Sequence, residues 1–232
     1  MKRPAAVFTI ALSFGAIVLA PRGGAQAQDR REEGPIEIEK CQTINKSGSY
    51  RLVNNLTAPS NTDCLVITAS FVSIDLGGFS ISSGGGTAGE GVNGSVLSPH
   101  QLHGIAVRNG SIANFSVGVN LSAPDFSTVE GLRVSGGGII AVGIVRGNVV
   151  RNAVTGILGG GIVTGNYAAA NGVGFDIDPG STVIGNLADD NTSVGIRVSC
   201  PSNVTDNTAV NNPQGNLVLN GNGCSNTNNV AP

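Results

Sequence analysis

The 232-residue chain has no tryptophan, one methionine and two histidines, with 4% aromatic and 12% charged residues. So few aromatics leave little material for the ring platforms on which sugars usually stack. The formal net charge is −2, and no Lys/Arg cluster follows the first residues, so the electrostatic footprint of a nucleic-acid binder is missing. GxSxG, GxxxxGK[ST], HExxH and the glycine-rich calcium nonapeptide are also missing, which removes serine hydrolase, NTPase, zincin and calcium-roll readings. What the chain does have is 35 glycines, 24 asparagines and a 40% apolar fraction. That mixture is too apolar for an acidic disordered tail and too rich in helix breakers for a helical bundle. It fits turn-rich all-β structure in one elongated domain.

Lys2 and Arg3 precede a mostly apolar run from Ala5 to Ala20, and Ala25-Gln26-Ala27 offers the small residues of a cleavage site. Residues 1–27 therefore read as a secretory signal peptide, followed by a charged segment over 28–35. The run is too short to cross roughly 30 Å of hydrocarbon, so no membrane span is expected in the mature chain. The four cysteines cluster in two pairs, Cys41 with Cys64 and Cys200 with Cys224, separated by 23 and 24 residues. An even count in an exported context favours two local disulfides, each closing a loop worth about 3 kcal/mol in the chain-entropy model.

Aligned on Gly-Asn or Asp-Asn steps, the second half falls into rows: Gly147-Asn148, Gly165-Asn166, Gly185-Asn186 and Asp206-Asn207. A second asparagine follows in each row at Asn152, Asn171, Asn191 and Asn211 or Asn212, and then Gly before an apolar residue at Gly156-Ile157, Gly174-Phe175 and Gly195-Ile196. Val145, Val163, Ile184 and Val204 precede the Gly-Asn steps, which places a strand before each turn. Repeats of this length belong to solenoids, whose units bury their apolar faces only by stacking on neighbours. Period-two alternation at Gly195-Ile196-Arg197-Val198 and the lack of a leucine ladder leave a parallel β-helix. The steps vary from 18 to 21 residues, which argues against a rigid left-handed helix, so a right-handed one is expected. Asparagine suits the turns because it tolerates left-handed backbone angles and its amide can bond the next coil.

The first half repeats the pattern less regularly, around Gly78 and Gly110, with residues 82–101 read as an inserted loop. The expectation is a single-domain β-helix over 36–232 with roughly seven coils, an N-terminal cap at 36–65 and a C-terminal cap at 217–232, its ends stapled by the disulfides.

The stretch from Ser47 to Ile81, the "GN…N…GI" rows and the final "NLVLNGNGCSNTNNVAP" resemble exported right-handed β-helix repeat proteins of bacteria, related in fold to pectate lyases. The resemblance covers the chain from about Ile36 onward and implies a periplasmic, extracellular or cell-surface location. That superfamily contains lyases, hydrolases, epimerases and non-catalytic surface proteins, so the fold does not name a reaction. Carbohydrate-cleaving members need paired carboxylates or a calcium held by several of them. The acidic candidates are Asp176, Asp178, Asp189 and Asp190, and one-coil spacing sets Asp176 over Arg197 but does not converge the four. Asn61-Thr62-Asp63, Asp189-Asp190 and His103-Gly104 resemble strings of polygalacturonase-type hydrolases, but in the wrong order. His100 and His103 have no carboxylate close in sequence to complete a metal site. Phe79 and Phe175 fall at inward positions, leaving Tyr167 as the binding platform. The expectation is a structural or surface-interaction protein whose partner is a polysaccharide or cell-surface glycan, without cofactor. The alternative is a lyase, hydrolase or epimerase acting on an acidic polysaccharide, with calcium only if a lyase.

Overall fold

Because successive side chains of a strand point to opposite faces, each short apolar-polar alternation in this sequence commits one residue to a core and its neighbour to solvent. In the structure, a computed structural model that describes residues 34–86, 88–95 and 101–232, those commitments stack. The signal-peptide reading for 1–27, residues 28–33 of the charged segment and His100 lie outside the described residues.

The chain winds through three faces in turn, and every strand pairing among the described residues is parallel to a strand one coil away. On the first face the inward column runs Tyr50, Ile74, Val107, Val129, Val145, Val163, Val183 and Val204. On the second it runs Leu56, Ile81, Ile112, Val134, Val150, Ala168, Ala188 and Ala209. On the third it runs Leu65, Val92, Val119, Ile139, Ile157, Phe175, Ile196 and Leu217. All but Leu217 are buried. Alanine on the second face coincides with Phe175 and Ile196 on the third, the large-with-small pairing that fills a core at constant volume. No helix occurs among the described residues, and the fold is an all-β parallel β-solenoid of about nine turns.

The coil count exceeds the roughly seven expected because both presumed caps are themselves coils. Residues 36–65 supply strands Ile36–Ile38, Gln42–Ile44, Gly48–Leu52 and Leu56–Ala58 in register with the coils that follow. At the other end Gly215–Asn220 and Ser225–Thr227 continue the third and first faces. The segment 82–101, read as an insertion, contains the third-face strand Glu90–Asn93, since Val92 fills the column between Leu65 and Val119. Before the next strand, Ala106–Ala113, Leu102 and Ile105 turn into the core.

Cys41–Cys64 and Cys200–Cys224 are disulfides, with Cα atoms 4.4 and 5.0 Å apart, one near each end. The asparagines between first and second faces form a buried ladder. The Nδ2 of Asn148 donates to Asn166 Oδ1, Asn166 to Asn186, Asn186 to Asn207 and Asn207 to Asn229, at 2.9 to 3.0 Å. Each Oδ1 also accepts a backbone N–H from the coil before, so the buried amides are fully used. A second ladder joins Asn171, Asn191 and Asn212 between second and third faces. Asn152 is a turn residue outside it, with φ of 57° in a column shared by Ala170, Asp190 and Asn211. The ladder instead receives the N–H of Ala153. The Gly-apolar mark of each row follows from this ladder: a Cβ on Gly156 would sit 2.6 Å from the Gly174 carbonyl and 3.0 Å from Asn171 Nδ2.

Candidate functional site

The four aspartates singled out in the sequence lie in two places. Asp176 and Asp178 follow each other on the third face, Asp176 half-buried and paired with Arg197 at 3.2 Å, Asp178 exposed. Asp189 ends a second-face strand and accepts a hydrogen bond of 3.0 Å from Asn211 Nδ2. Asp190 is an exposed left-handed turn residue with φ of 52°. Their placement is that of solvated turn and ladder residues. Among the described residues no three His, Cys, Asp or Glu side chains gather as a metal site. Tyr167 projects from the second face, half-buried, with the guanidinium of Arg151 5.0 Å from its ring centroid, so one ring face is occupied.

Two other aromatics are more exposed than Tyr167. Phe71 and Phe126 are 68% and 82% exposed, although neither sequence position falls in a surface pattern of its own. Both stand at the corner between third and first faces, immediately before a first-face strand. The register Ser73 with Ala106 and Thr128 with Ala106 puts Gly104 between them in one column. Two coil steps separate the phenylalanines, roughly 9–10 Å. All three residues have left-handed backbone angles, with φ of 58° at Phe71, 63° at Gly104 and 56° at Phe126. The corner demands that conformation, which glycine meets freely and a bulky L-residue meets at a cost of about 1–2 kcal/mol. The glycine also gives the ring room, because a Cβ on Gly104 would lie 3.0 Å from Phe71 Cδ1.

A polar row runs beside the rings, one residue earlier in each coil. The Ser70 hydroxyl accepts from the His103 N–H at 3.1 Å, and His103 Nδ1 lies 3.8 Å from Asp125 Oδ2 with both side chains about half exposed. Apolar ring faces thus stand next to a short line of hydroxyl, imidazole and carboxylate groups. Sequence reading missed the pair because exposure at a corner has no period-two signature. The signal that was present is an aromatic immediately before each strand at Phe71-Val72 and Phe126-Ser127, with His103-Gly104 at the matching place between them.

The third face carries a second feature absent from the sequence reading, a pair of neighbouring carboxyl groups. Asp63 Oδ1 accepts the Glu90 N–H at 2.8 Å, and its Oδ2 accepts Asn93 Nδ2 at 2.7 Å. Glu90 Oε1 accepts Asn120 Nδ2 at 2.9 Å, whereas its Oε2 is buried without a partner. Burial pushes the Glu90 carboxyl above its ordinary range, the Asn120 amide opposes the shift, and the nearby Asp63 charge adds to it.

The class defined by this architecture is the parallel β-solenoid tied by a disulfide near each end, with an aromatic corner on its surface. Compared with family models, curated proteins and solved structures, the chain matches none of them.

Proposed function

We propose that this is an exported surface-interaction protein that binds a polysaccharide along the Phe71–Gly104–Phe126 corner and does not cleave it. The observation that carries this reading is the corner itself: two phenylalanines held exposed in an unfavourable backbone conformation, two coils apart. Strain and apolar exposure at one place are costs that a purely structural corner avoids with glycine or asparagine. Two disulfides support the exported assignment, because such bonds persist in oxidising compartments. No helix among the described residues is long and apolar enough to cross a membrane.

The test is isothermal titration of the oxidised protein against neutral and acidic oligosaccharides, with Phe71→Ala, Phe126→Ala and the double variant. Burying one ring face against a sugar is worth on the order of 1.4 kcal/mol, so each single variant is expected to weaken binding about tenfold. Binding unchanged in the double variant removes the proposal.

Asp63 and Glu90 support a second reading, a lyase, hydrolase or epimerase of acidic polysaccharide, since an acid catalyst needs a carboxyl raised toward neutrality beside another carboxyl. The buried, unpartnered Glu90 Oε2 argues against it, because a substrate does not reach that oxygen in this conformation. New reducing ends or unsaturated products that disappear in Glu90→Gln would establish this second reading in place of the first.

A further inference from the structure

Three arginines on the first and third faces pair with carboxylates, and the two on the second face do not. Arg108 pairs with Asp75 at 3.2 Å, Arg146 with Glu130 at 2.8 Å and Arg197 with Asp176 at 3.2 Å. Arg133 and Arg151, both exposed on the second face, have no carboxylate partner among the described residues. They occupy adjacent coils: Arg133 is in register with Val149, and Arg151 with Ser135. That makes them diagonal neighbours, about 8 Å apart at the backbone. Together with Ser111 and Ser135 they line a shallow depression of about 410 Å³.

The next coil orients one of them. Val149 is in register with Tyr167, and the Arg151 guanidinium lies over that ring at 5.0 Å from its centroid. A guanidinium stacked on an aromatic face keeps its N–H edges free, which preserves the planar fork that grips an oxyanion with two parallel hydrogen bonds. The nearest acid along this column is Asp189, two coils beyond Arg151 and bonded by Asn211. No carboxylate among the described residues therefore pairs with either arginine.

We infer that Arg133 and Arg151 form an anion-binding subsite for an acidic polysaccharide, taking its carboxylate or sulfate oxyanions with Ser111 and Ser135 as hydroxyl partners. The site lies on a different face from the Phe71–Phe126 corner and binds without it, while the choice of a polysaccharide as the carrier of the anion rests on the glycan-binding reading proposed above. It gives the chain a means of selecting charged over neutral polymers, a choice the phenylalanine rings do not make.

The experiment titrates the oxidised protein with three probes: oligogalacturonate, which carries carboxylates, dextran sulfate, which carries sulfate esters, and neutral dextran. The proteins compared are the wild type, Arg133→Gln, Arg151→Gln, the double arginine variant, Arg151→Lys and Phe71→Ala/Phe126→Ala, each with its urea midpoint checked. At least one anionic probe is expected to bind more tightly than neutral dextran and to weaken with added salt. Each arginine variant should lose about tenfold, and Arg151→Lys less, because charge remains without the fork. Preference for oligogalacturonate or for dextran sulfate identifies which oxyanion the site takes. The anionic preference should survive in Phe71→Ala/Phe126→Ala, which separates this subsite from the corner. Equal binding of neutral dextran, or anionic binding unchanged in the double arginine variant, would overturn the inference. So would tighter, arginine-dependent binding of anionic lipid vesicles or of a single-stranded oligonucleotide of matched charge, since the occupant would then be another class of polyanion.

Discussion

At the residue scale, the buried asparagine amides hold the turns. The Asn186 side chain receives the Asn166 N–H and Nδ2, and donates to Val163 O and Asn207 Oδ1, while only 1% of the residue is exposed. Replacing it with alanine strands several groups that have no access to water. Asn186→Ala is therefore expected to cost about 3–5 kcal/mol, read as a lowered urea midpoint at unchanged slope. Asn152, exposed and outside the ladder, should lose about 1 kcal/mol or less on the same change. Similar losses at both positions would contradict the assignment of the ladder.

Two carboxyls make stability depend on pH in opposite senses. Burial raises the Asp75 pKa, but the Gly77 N–H, the Asn109 amide and Arg108 outweigh it, so the group sits below its ordinary 3.8. Its contribution is present above 3.8 and is lost as pH falls through the lowered folded value. Glu90 is the reverse, held by burial above its ordinary 4.5. Folding retains its proton more tightly than the unfolded chain does, so its contribution is full below 4.5 and is lost as pH rises through the raised value. Urea midpoints should therefore peak in the interval between these two ordinary values. Glu90→Gln should remove the decline above 4.5 and leave the acid limb in place. A profile identical to wild type would show that Glu90 does not hold its proton.

At the element scale, the corner sets stability against binding. Gly104 occupies the same left-handed position as Phe71 and Phe126, which shows what the backbone prefers there. Phe126→Asn is expected to raise stability by about 0.5–1 kcal/mol through relief of backbone strain, while weakening glycan binding. A variant both less stable and weaker in binding would mean that the ring is part of the fold. On the first face, Arg51, Asp75, Arg108, Glu130 and Arg146 stand in register on successive coils, alternating in sign. Exposed pairs of this kind contribute little singly, about 0–1 kcal/mol.

At the scale of the whole molecule, a solenoid is held by nearest-neighbour coils, so its ends open first. The disulfides lie there, and each closes a loop of a size worth about 3 kcal/mol. Cys41→Ala/Cys64→Ala is expected to speed amide exchange in the first coils before the central ones, as read by hydrogen–deuterium exchange. Uniform acceleration along the chain would indicate one cooperative unit instead.

The rows of glycine, asparagine and branched residues specified the parallel β-helix, the disulfide pairing and the first asparagine ladder, because each depends on spacing along the chain or on local backbone preference. Coil number was less legible, since caps and coils share the same alternation, and so was the second ladder, where a one-residue shift separates Asn152 from the column of Asn171. The aromatic corner, the unmatched arginines and the Asp63–Glu90 pair appear only once coils are in register. Phe71 and Phe126 are 55 positions apart in sequence and two coils apart in space. Local pattern says which way a side chain points, whereas variable coil length decides which side chains become neighbours, and only the stacked structure fixes those lengths.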